Sequence, residues 1–165
     1  MDEDENLRRY GLRPSVDDLD ECRDILRAQA RPGQEDQDTE LMKLSCVQLF
    51  NAGHLNDVLT IWQAKESSWD AHCALDVQLL CAAGLDATKA HLTADGSEAA
   101  AEALRYLDEC EAAGDFNQFF VDQHALSWAR YYRAGEATEP RPAVKHLDGA
   151  LEKRETAAGS TEGRT

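Results

Sequence analysis

The chain has 165 residues, of which 42% are apolar, and 17 basic against 32 acidic side chains give it a net charge of −15. That length supports one domain with its own core, removing about 70% of the unfolded surface from water. The acidity disfavours nucleic acid and anionic membrane as partners, and leaves a basic protein partner or plain solubility.

The first 13 residues, MDEDENLRRYGLR, are almost devoid of apolar side chains and read as a flexible acidic tail. They show no apolar leader segment, and no run approaches the roughly 18 apolar residues of a membrane span. An all-α domain is expected over 14–155. Its first helix is opened by Pro14-Ser15 and runs to about residue 30, ahead of Pro32-Gly33. Val16, Leu19, Arg23 and Leu26 share one face, while Asp17, Asp20, Glu21 and Asp24 lie opposite. A second helix begins at Asp38 or Thr39, carries Leu41, Leu44, Val47 and Phe50, and closes at Gly53. A third, over 55–65, has Leu55, Val58, Leu59 and Trp62 at amphipathic spacing.

The stretch 69–83 is apolar nearly all round, which predicts the buried central helix of the domain, with Ser68 as its cap. A short helix over 86–92 follows. Ser97 caps a sixth over 98–113, closed by Gly114. A seventh over 117–133 is rich in aromatic side chains. Phe119-Phe120 and Tyr131-Tyr132 are adjacent pairs, so one ring of each pair is expected at the surface. Phe119 and Tyr132 are the candidate binding rings. The last helix is expected over 142–155, with Val144, Leu147 and Leu151 inward, and 156–165 as a disordered end.

Four segments end in a residue pair followed by glycine, at Gly53, Gly84, Gly114 and Gly135, spaced 31, 30 and 21 residues apart. Val47-Gln48-Leu49 also recurs as Val77-Gln78-Leu79. LFNAGHLNDVLTIWQA resembles the hinge of tetratricopeptide or HEAT-like α-α hairpin repeats, with Gly53 between the helices. The resemblance covers one unit, and Ala87, Thr88 and Lys89 replace the apolar stripe of the next. IWQAKESSWDAHCALDVQLLCAAGLDATKAHL resembles small acidic bacterial helical proteins, some of which act as immunity or inhibitor partners. A generic α-α bundle and a short repeat superhelix both remain open.

Nucleophile elbows, phosphate loops and zinc-protease motifs are absent from the sequence. Asp70, His72, Cys73 and Asp76 form the nearest thing to a metal set, with His91 or His124 to complete it. The plainer account is a core cysteine beside an ordinary His72–Asp76 helical pair. Thiol catalysis would need Cys46 or Cys81 beside His54 or His91, yet those cysteines sit in apolar patterns that raise thiol pKa values. The acidic pairs Asp17-Asp18 and Asp108-Glu109-Glu111 read as solvated helix faces. No catalytic residue, cofactor or metal is expected.

Cys22, Cys46, Cys73, Cys81 and Cys110 are odd in number and dispersed, which suits a reducing, cytoplasmic setting. Residues 1–40 hold 13 acidic and 6 basic side chains, close to half the net charge. Together these features suggest a non-enzymatic all-α protein-binding module of seven or eight short antiparallel helices, meeting a basic partner. Its candidate contact residues are Asp17, Asp20, Glu21, Asp24, Lys65, Trp69, Asp70, Phe119 and Tyr132. The competing expectations are a metal or enzyme site at Asp70, His72, Cys73 and Asp76, and a DNA mimic.

Overall fold

The computed structural model describes residues 1–31 and 36–136. Among them are eight α-helices: α1 Glu3–Tyr10, α2 Leu19–Gln29, α3 Thr39–Ala52, α4 Val58–Lys65, α5 Trp69–Ala74, α6 Leu85–Asp95, α7 Glu98–Ala113 and α8 Val121–Glu136. Short 3-10 turns, Val16–Asp18, Leu55–Asp57 and Val77–Leu80, link several of them, and no strand occurs among the described residues. The all-α class is as the periodicity predicts. The helix expected over 142–155 and the end at 156–165 lie outside the described residues.

The core is organised on α3. Leu41, Met42 and all residues from 44 to 50 are buried, leaving only the Glu40–Lys43 side of its first turns toward solvent. Asp38 caps it by accepting from the Leu41 amide at 3.0 Å, and Gly53 closes it in a left-handed conformation at φ 75°. Neighbours on several sides, α1, α2, α5, α8 and the Val77–Leu80 turn, pack against it. The buried polar residue Ser45 is satisfied internally, its Oγ donating to the Leu41 carbonyl at 2.9 Å.

This overturns the expectation that 69–83 forms the central helix. That stretch breaks at Ala74 into α5 and the Val77–Leu80 turn. The cause is tertiary. Lys65 is only 3% exposed, and its Nζ donates to the carbonyls of His72 and Leu75, both at 2.6 Å. A buried ammonium needs acceptors, and the unpaired carbonyls at a helix end supply them.

The flexible-tail reading of residues 1–13 is also overturned. Asp2 caps α1 by accepting from the Glu5 amide at 2.9 Å, with acids in the first turn and Arg8 and Arg9 in the last, matching the helix dipole. Amides on α3 hold the segment in place. Gln48 Nε2 donates to Asn6 Oδ1 at 2.7 Å and to the Gly11 carbonyl at 2.8 Å, and Asn51 Nδ2 donates to the Leu12 carbonyl at 2.8 Å. A count of apolar residues is blind to docking of this kind.

The glycine echo does not mark a uniform terminator. Gly53 and Gly114 are left-handed helix caps, but Gly84 precedes α6 at ψ 156° and Gly135 lies inside α8. Val77-Gln78-Leu79 sits in a 3-10 turn rather than in a helix like α3.

Candidate functional site

Of the nine residues singled out from sequence, Lys65, Trp69 and Asp70 fall at one corner, where α4 hands over to α5. Ser67 and Ser68 make the turn. Ser67 Oγ donates to the Ala64 carbonyl at 2.7 Å, and Ser68 caps α5 by accepting from the Ala71 amide at 3.1 Å. Gln37, from the segment leading into α3, braces the corner by donating to Ser67 Oγ at 3.0 Å. Trp69 is thereby presented as the first residue of α5, with 78% of its surface exposed.

One face of the Trp69 indole is backed by His72, one turn on, with ring centroids 6.1 Å apart and planes within 8°. His72 is fixed in turn: its Nδ1 lies 2.8 Å from Glu66 Oε1, and its ring meets Tyr106 of α7 edge-on at 5.5 Å. Tyr106 continues inward to Trp62 at 5.3 Å, and the Lys65 ammonium sits 5.6 Å from the Tyr106 ring centre. The result is an aromatic ladder from solvent to core. Glu66 binds its His72 rung, and Asp70, next to Trp69 in the chain, is also exposed. Such a face can stack a planar cation or hold an ammonium over the ring.

Burial governs the ionisation of this ladder. It lowers the Lys65 ammonium, and it pushes the Tyr106 hydroxyl well above the usual tyrosine range. Lys65 is therefore a buried structural cation and no contact residue, which corrects that expectation.

The other candidates lie elsewhere. Asp17, Asp20, Glu21 and Asp24 are exposed along α2 and the turn before it, but Asp20 pairs with Arg23 at 2.7 Å and Asp24 with Arg27 at 3.1 Å. Asp20 shares Arg23 with the buried Asp57, and Asp24 is paired within its own helix. On α8 the surface ring of the Tyr131-Tyr132 pair is Tyr131, 52% exposed, whereas Tyr132 is buried at 6%. Phe120 is 59% exposed, and Phe119 packs edge-on against Phe116 and His124. The expected binding rings are thus the inward members of their pairs. Tyr132 lies one turn after the buried Trp128 and so shares its inward face, while Phe119 lies before α8, which starts only at Val121.

The metal set is not assembled. Among the described residues no three His, Cys, Asp or Glu side chains converge on a possible cation. His72 and Asp76 lose their helical pairing because α5 ends between them, and Cys73 is exposed, not part of the core. Cys46 and Cys81 are buried, with thiols pushed up by burial and no histidine partner among the described residues. Asp108 and Glu111 of α7 converge on Lys89 of α6, Asp108 at 2.7 Å, so they tie two helices together.

Glu66, His72 and Tyr106 were not legible as a unit, since His72 and Tyr106 are 34 residues apart. The signal within reach was the short separation of Trp69 and His72, which share a helix face at i, i+3.

Among the described residues no helix is long and apolar enough to cross a membrane. No family model, curated protein or solved structure matches the chain.

Proposed function

We propose that this chain is a non-enzymatic protein-binding module that engages a basic partner at the α4–α5 corner. The observation that carries this reading is Trp69: a large ring, 78% exposed and backed by His72, which holds Glu66, with the exposed Asp70 next in the chain. Exposed aromatic anchors dominate protein interfaces, and an indole face with adjacent carboxylates suits an arginine or lysine side chain. The net charge of −15 would speed the encounter with such a partner. An immunity or inhibitor protein works in this way, occluding a basic target. Five free thiols fit a reducing, cytoplasmic setting.

Trp62 and Trp128 are buried, so quenching of tryptophan emission by a basic ligand reports mainly on Trp69. Titration with an arginine-rich peptide is expected to quench that emission, with an association rate that falls steeply as salt rises. W69A should weaken binding at least tenfold, and E66Q/D70N should weaken it further than either single change. Binding that ignores both W69A and salt would overturn the reading.

A further inference from the structure

We propose that the Trp69 corner selects arginine over lysine, so that the partner lays an arginine side chain on the open face of the indole. This rests on the protein-binding reading above and names the side chain that the corner takes.

The geometry of the ring separates the two cations. His72 backs one face of the indole with planes within 8°, and among the described residues it is the one ring packed on Trp69. The corner is therefore a single platform with one free face. An ammonium is compact and is held best where several ring faces enclose it, whereas a planar guanidinium makes its whole contact on one face. Exposure acts in the same direction. With 78% of Trp69 open to solvent, a bound cation stays wet. The strongly hydrated lysine ammonium would give up part of its water shell to lie on the ring. The more weakly hydrated guanidinium stacks by its face and keeps its in-plane N–H donors in water.

The platform is also fixed before a partner arrives. His72 Nδ1 lies 2.8 Å from Glu66 Oε1, its ring meets Tyr106 edge-on at 5.5 Å, and its backbone carbonyl accepts from Lys65 Nζ at 2.6 Å. A ring held in this way leaves less to order on binding a flat group. His72 touches the indole from behind, so its part in selection is that of a positioning residue.

The test is calorimetric titration of the full chain with nona-arginine and nona-lysine, which carry equal charge and are attracted alike by the acidic chain. Nona-arginine is expected to bind about fivefold more tightly, and W69A should bring the two peptides within about twofold of each other. H72A should narrow the preference, and H72F, which restores a ring behind the indole, should recover it. A merely structural role for His72 would weaken both peptides equally and leave their ratio unchanged, which would remove it from selection. Equal affinity for the two peptides, each still weakened by W69A, would overturn arginine selection and leave the corner standing as a binding site. A preference that survives W69A would place selection elsewhere in the chain and overturn it as well. Affinities for both peptides that ignore W69A would overturn the protein-binding reading itself.

Discussion

Arg23 grips Asp57 with two parallel hydrogen bonds, Nε to Oδ1 at 2.6 Å and Nη2 to Oδ2 at 3.0 Å, clamping α2 to the turn that precedes α4. Asp57 is buried, and Arg23 is mostly so. The pair explains why an arginine occupies the inner face of α2 between Leu19 and Leu26. Removing Arg23 strands the buried Asp57 carboxylate, which typically costs about 3 kcal/mol or more, whereas Asp57 removal leaves Arg23 still paired with Asp20. R23M is expected to lower the unfolding free energy by that amount, read from the shift of the urea midpoint at an unchanged denaturant slope. A loss below about 1 kcal/mol would show that the pair is dispensable.

Lys65 offers a second stability test. K65M keeps the stem but leaves the His72 and Leu75 carbonyls without their donor, an expected loss of about 2 kcal/mol. Burial lowers the Lys65 ammonium below its unfolded value, so the unfolded chain holds more protons between those two pKa values. Parental stability relative to K65M should therefore rise with pH through that window, up to about pH 10.5. A gap that narrows with rising pH would contradict the assignment.

His124 titrates by the same logic at lower pH. It accepts a hydrogen bond from Trp128 Nε1 at 3.1 Å, packs edge-on against Phe50 and Phe119, and has its pKa lowered by burial. The folded state holds the neutral ring, so its contribution is complete above about pH 6.5 and declines as pH falls through the folded pKa. Urea midpoints measured at pH 7.5 and 5.5 should drop for the parent and drop less for H124Q.

Thiol chemistry should single out Cys73. It is the exposed cysteine of the five, while burial pushes Cys22 up to about 11 and Cys81 up to about 12. A disulfide reagent at neutral pH is expected to label one thiol rapidly in the native chain and none rapidly in C73S. Rapid labelling of two or more native thiols would contradict the burial of the others.

Trp69 separates binding from folding. Because most of its surface faces solvent, W69A should shift stability by less than about 0.5 kcal/mol. A larger loss, read from thermal melting, would make the ring a packing element.

Much of the helical map was legible because local chemistry set it. Ser97 and Gly114 bound α7, and Asp38 and Gly53 bound α3, at the residues where capping rules put them. The failures share a cause: the deciding partner lies far along the chain. The 69–83 run breaks because Lys65 reaches across to its carbonyls. Residues 3–10 fold because Gln48 and Asn51 receive the segment they belong to. At the candidate site, Trp69 and Asp70 were visible as surface residues, but the support from Tyr106 required the tertiary fold.

The seating of α1 also completes the interior around α3. Gln48 is fully buried, and both acceptors of its amide nitrogen lie within the first eleven residues. A single cut near Leu12 would leave that amide in the interior with no acceptor and strip one side from α3. The start of the chain thus closes one side of the core, and removing it would open the Gln48 side of α3 to solvent.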